Sequence, residues 1–140
     1  MLEVVGVHLP YEPILLVKEI LGGSFMLPTG RSQDGVPAME ALLSQLDQLK
    51  NPAVVMGDFN MSDQQQSYTM MERRFQDAHR SRGWELGFTY APLGNFKLAV
   101  LRIDYIFVSP EIAIMDTDLG EYSGSDHRPI SPTLSWRSNE

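Results

Sequence analysis

The chain has 140 residues, 43% of them hydrophobic, a formal net charge of −7 and no cysteine. That apolar content suits one domain with a packed core and excludes a disordered chain, while the missing cysteines exclude disulfides, thiolate metal sites and thiol nucleophiles. The acidity argues against a protein that grips a polyanion over a broad surface and favours a small or localised phosphate ester, since a bound cation with a few arginines inverts the field only locally.

Residues 2–9 have strand composition, ended by Pro10 and Pro13. Because the chain opens inside a strand, the expectation is that a segment once preceded it, and localisation signals could have gone with it. Ile14 to Leu21 is predicted as a short helix stopped by Gly22-Gly23, and residues 22–36 as an irregular loop. The clearest helix covers 36–49, where Val36, Met39, Leu42, Leu43, Leu46 and Leu49 form one apolar stripe. Ala53 to Met56 reads as a strand buried on both faces. Ser62 is expected to cap a helix over 63–74, and 75–83 is a short helix or turn with Asp77 as its cap. Phe88-Thr89-Tyr90 reads as a short strand before a loop from Ala91 to Asn95. Ile103–Val108 and Ile112–Met115 are strands, and Pro129–Trp136 is an edge strand interrupted by Pro132. No repeat or linker divides residues 1–140, so a single α-and-β domain, or part of one, is expected. No run of about 18 apolar residues is present, so no transmembrane helix is expected; the N-terminus lacks a signal-peptide pattern, and the compartment is open, cytoplasmic by default.

Three polar motifs stand where strands should end. In Gly57-Asp58-Phe59-Asn60 the two polar residues are two apart, so an extended backbone would point both the same way. Asp58 is then a base or metal-side carboxylate and Asn60 a donor to an oxyanion or water; the plain alternative is a turn. Asp104 interrupts an apolar strand, where a carboxylate needs a partner, and His127 is the candidate. Asp126-His127 follows the flexible Ser123-Gly124-Ser125; alone it is a capping aspartate beside a solvated histidine, but a second aspartate behind the ring fits an orienting carboxylate. His8 ends the first strand, where a structural histidine is the plain reading. His79 and Arg80 read as helix surface, and Arg31 as a solvated loop residue.

The order Val7-His8-Leu9, Gly57-Asp58-Phe59-Asn60, Arg102-Ile103-Asp104-Tyr105-Ile106 and Ser125-Asp126-His127-Arg128-Pro129 resembles the endonuclease/exonuclease/phosphatase superfamily, which includes pancreatic deoxyribonuclease, abasic-site endonucleases, neutral sphingomyelinases and inositol-polyphosphate phosphatases. The resemblance implies an α+β fold, the four-layer α-β-β-α sandwich of the deoxyribonuclease-I-like type, here N-terminally truncated. It implies a divalent-metal-dependent phosphoesterase, foremost a phosphodiesterase or nuclease using in-line attack of water. Asp58 would activate the water and Asn60 would hold it or the transition-state oxygens. Asp126 would help bind Mg2+ or Mn2+. His127 would contact the scissile phosphate with Asp104 orienting its ring, and His8 would act near the leaving group.

The family's early Asn and its Glu, the main metal ligand, have no counterpart upstream of the His8 strand, and Glu3 lies too close to His8 to replace the Glu. The alternatives are therefore a catalytically incomplete fragment acting as a folded or oligomeric module and, within enzymes, a lipid or inositol phosphoesterase. The implied partners are a phosphate-ester substrate, nucleic acid among the choices, and a homodimer mate or a complementing N-terminal fragment.

Overall fold

The computed structural model describes residues 1–10, 15–20, 23–27, 35–91 and 101–137, with 15–20 and 23–27 at backbone level. The strands are β1 (Glu3–His8), β2 (Leu15–Ile20), β3 (Gly23–Leu27), β4 (Ala53–Asp58), β5 (Gln76–Asp77), β6 (Asp104–Val108), β7 (Ile112–Leu119) and β8 (Ile130–Trp136). The helices are α1 (Val36–Leu46), α2 (Gln66–Glu72) and α3 (Ala78–Arg82). Four strands make the main sheet in the order β1-β4-β6-β5; β2 pairs with β3, and β7 with β8.

Alternation along the strands sorts the core into two. Val55, Tyr105 and Phe107 face the helices and pack with Phe59, Met39 and Leu43 of α1, and Tyr68 and Met71 of α2. Val54, Ile106 and Val108 face the other way, against Ile112, Ile114 and Leu134 of the β7–β8 hairpin. The fold is thus α+β with two sheets face to face, and the described residues supply three of the sandwich layers: helices, main sheet and hairpin. Phe59 meets Tyr105 and Phe107 edge-on at 5.8 and 5.3 Å between ring centroids, the arrangement ring quadrupoles favour.

Several predicted elements change. Residues 15–20 are a strand, not a helix, and part of the expected loop is the strand β3 paired with it; two apolar runs flanking Gly-Gly form a hairpin as readily as one of them forms a helix. α1 ends at Leu46 with Asp47 as its C-cap. Ser62 is not the cap of α2: the helix starts at Gln66 behind Gln65, and Ser62 belongs to the turn before it, where Gln65 Oε1 accepts the Ser62 N–H. His79 is buried rather than on the helix surface. β7 runs to Leu119, beyond the expected Met115. Pro132 does not interrupt β8, which continues to Trp136. Its missing N–H is tolerated because β8 pairs on one side only, with β7. Arg31 lies outside the described residues.

Candidate active site

Parallel pairing sets His8 beside Asp58, and antiparallel pairing sets Asp58 beside Asp104. Register partners share a face, so His8, Asp58 and Asp104 form a row across β1, β4 and β6 at one rim of the sheet, on the face toward the β7–β8 hairpin. His127 completes the row from the loop before β8: its Nδ1 lies 2.9 Å from Asp104 Oδ2. A carboxylate only accepts, so Nδ1 carries the proton and Nε2 is left for a ligand. The Asp104 and His127 side chains are 19% and 29% exposed, open enough to receive a ligand and covered enough to be held. One ligand atom from each of Asp58, Asp104 and His127 lies within 4.8 Å of the others.

Burial pushes the Asp58 carboxyl above its ordinary range and the neighbouring Asp104 adds to this, against the Asn60 N–H, which donates to Asp58 Oδ1 at 2.8 Å. Two facing carboxylates of which one is hard to ionise suit a hard cation, whose ligands are oxygens, so the chemistry of the donors fits a magnesium-type ion.

Asn60 reaches the site differently from the expectation. The strand ends at Asp58, and Asn60 has φ 49°, in the left-handed region that Asn tolerates. Its position comes from this turn and not from strand alternation. Its Nδ2 donates to Leu9 O at 3.0 Å, tying the end of β1 to the end of β4. Asp126 is exposed, and its carboxylate is not part of the Asp58–Asp104–His127 group; its carbonyl accepts the Ala91 N–H at 2.9 Å. Glu3 sits at the opposite end of β1, where its carboxylate accepts from the Asn51 side chain at 2.9 Å, a bond that lowers its pKa. A cleft of about 260 Å³ opens beside Asp104, lined among others by Met56, Ile106, Arg128 and Ile130.

Sequence reasoning missed two residues behind this row. Thr89 is fully buried, and its Oγ1 accepts the Ile103 and Asp104 N–H groups at 3.3 and 3.2 Å. Tyr90 lies with its ring centroid 4.8 Å from that of His127. Phe88–Tyr90, expected as a strand, is not one: only Tyr90 pairs, by isolated bridges to Leu101 and His127, because its partners come one residue at a time from two loops that the local pattern could not foresee.

Residues 22–127 match the family described as Endonuclease/Exonuclease/phosphatase family. No curated protein matches the chain. Among solved structures, an endonuclease/exonuclease/phosphatase from Bacteroides vulgatus is 22% identical with a TM-score of 0.61, the match covering 71% of this chain and 43% of that one. A mannosyl-6-phosphatase from Bacteroides thetaiotaomicron is 24% identical with a TM-score of 0.54, covering 74% and 45%. A 3′ phosphatase from Neisseria, bound to a product DNA hairpin, is 21% identical with a TM-score of 0.56, covering 74% and 52%. The chain therefore spans about half the length of the structures it matches.

Proposed function

The chain belongs to the endonuclease/exonuclease/phosphatase family, and from this we propose that it is a phosphoesterase, foremost a phosphodiesterase or nuclease hydrolysing a phosphate ester by in-line attack of water. The observation that carries the reading is the convergence of Asp58, Asp104 and His127 within 4.8 Å. Asp58 holds and deprotonates the attacking water, and Asn60 holds that water or the transition-state oxygens. His127 presents Nε2 to the phosphate while Asp104 fixes its ring. His8, beside Asp58 in the register, acts near the leaving group. Asp58, beside Asp104 and with Asp126 as a further carboxylate, would hold Mg2+ or Mn2+, and such an ion supplies polarisation of the phosphoryl oxygens. Nucleic acid is the first choice of substrate, in keeping with the DNA-bound Neisseria neighbour.

The test is release of p-nitrophenol from bis(p-nitrophenyl) phosphate and p-nitrophenyl phosphate, with either metal and with chelator. Asp58→Ala and His127→Ala should each lower kcat/KM by about 10²–10⁴-fold with unchanged circular dichroism; activity surviving in both variants would sink the assignment. A second reading is favoured by the half-length match: a catalytically incomplete module, completed by a second copy or by a complementing N-terminal fragment. Calorimetric titration separates the two, because the module predicts no heat at millimolar magnesium.

A further inference from the structure

We propose that Thr89 and Tyr90 are positioning residues: one buried segment ties the backbone of Asp104 to the backbone around His127, and so fixes the geometry in which carboxylate and imidazole meet. The proposal rests on the reading of Asp104 and His127 given above, although the contact it explains can be observed without turnover.

Asp104 and His127 come from segments 23 residues apart, and their 2.9 Å contact is between half-buried side chains. That single bond does not by itself set how the two backbones carrying it approach each other. β5 covers the edge of β6 only at Phe107 and Val108. At the start of β6, the Ile103 and Asp104 N–H groups find their acceptor in the Thr89 hydroxyl, which is 0% exposed. The backbone of the same segment holds the other partner. Thr89 O accepts the Arg128 N–H at 2.7 Å and Ala91 N–H donates to Asp126 O at 2.9 Å, so both neighbours of His127 are pinned and Tyr90 bridges His127 itself. Behind them, the Thr89 and Tyr90 N–H groups donate to Leu101 O at 2.8 and 2.9 Å. The Tyr90 ring then closes on the imidazole at 4.8 Å and 42° between planes, limiting its rotation.

Thr89→Val keeps the shape of the side chain and removes the acceptor, leaving two N–H groups without it; Thr89→Ser keeps the acceptor. The readout is the pair of His127 ring nitrogen shifts from two-bond ¹⁵N–¹H correlation at one fixed pH. The wild type and Thr89→Ser should show Nδ1 protonated, held by Asp104. Thr89→Val should shift the ring toward the Nε2-protonated tautomer. Tyr90→Leu, which removes the adjoining ring but none of the backbone bonds, should do the same if Thr89→Val does not fold. Where hydrolysis is measurable, kcat should fall about 10–100-fold in Thr89→Val with KM little changed, and Thr89→Ser should restore it. If both folded variants keep the wild-type tautomer while only their melting temperatures drop, the role is merely structural and the proposal is overturned. Absence of hydrolysis in every variant, with the tautomer shift present, would count against the phosphoesterase reading and leave the positioning role standing.

Discussion

Asp77 caps α3 by accepting the Arg80 N–H at 3.2 Å, and its other oxygen receives the Tyr68 hydroxyl at 2.9 Å and the Arg102 guanidinium. Arg102 also lies 4.7 Å from the Tyr105 ring centroid, so a side chain from the motif that carries Asp104 is buried on an anion and an aromatic face. Burial, with Asp77 beside it, pushes the Tyr68 phenol up to about 12, which keeps it a donor. Removing one partner of a buried pair strands the other charge, so Asp77→Ala should cost about 3–5 kcal/mol in urea unfolding; a loss under 1 kcal/mol would show the pair to be marginal. The cap was legible from Asp77 standing before a short helix, whereas its ion pair was not, because Arg102 arrives from 25 residues away. His79 was misread for the same kind of reason. Its ring fills space left by two glycines: a Cβ on Gly83 would lie 2.4 Å from Nε2, and one on Gly87 2.7 Å from Nδ1. Burial and then Arg102 hold its pKa below the ordinary imidazole value. The unfolded chain then binds the proton more readily, so this contribution is whole above about pH 6.5 and is lost as pH falls through the lowered folded value. Wild type should therefore lose more melting temperature between pH 7.5 and 5.5 than His79→Gln; equal losses would exclude the histidine as the cause.

At the scale of elements, the junction of β1 and β4 depends on one missing side chain. Gly57 has φ +145°, and a Cβ there would sit 1.9 Å from Val7 O. Since Gly57 pairs with Val7 on one side and Tyr105 on the other, Gly57→Ala must part β1 from the sheet. Hydrogen exchange should then show residues 3–8 losing protection while 104–108 keep it; protection retained across residues 3–8 would contradict the geometry. Glycine beside Asp58 was legible as a place of close backbone approach, but not which strand approaches. α1 and β4 were legible because each carries a strong local pattern: an i, i+3, i+4 stripe in one, a short unbroken apolar run in the other. β2 was not, because Leu15 to Ile20, four apolar residues with Lys18 and Glu19 among them, has no decisive period, and its strand character comes from pairing with β3. The site followed the same division. The strand ends holding Asp58 and Asp104 could be placed from pattern, while the turn that aims Asn60 and the exposed position of Asp126 depend on loop conformation, which composition does not specify.

Across the whole molecule, the two faces of the main sheet are covered unequally. Among the described residues helices close one face, while on the other the β7–β8 hairpin does not reach β1: Leu2 and Val4 are 43% and 62% exposed, and Val4 shares a face with the buried Val54. Trp136 is also exposed, and a cleft of about 130 Å³ runs between Leu2, Ile112, Leu134 and Trp136. Uncovered apolar surface beside strand edges invites association. The net charge of −7 opposes it at low ionic strength. Sedimentation equilibrium at tens of micromolar should show mass above the monomer that rises with salt, and Val4→Lys should return it to monomer; a monomer under all conditions would remove the homodimer from consideration. Among the described residues no helix is long and apolar enough to cross a membrane.

The bridge between Tyr90 and Leu101 has a consequence for how such a chain could diversify. It holds Tyr90 and Leu101 side by side whatever number of residues joins them, and a longer flexible connection adds only closure entropy, about 0.6 kcal/mol for each doubling. The strain of an insertion would stop at the clasp and not reach Asp104 or His127. Chain length can vary between Tyr90 and Leu101 while the hydrogen bonds of Thr89 and Tyr90 to Leu101, and the backbone they support, keep their form.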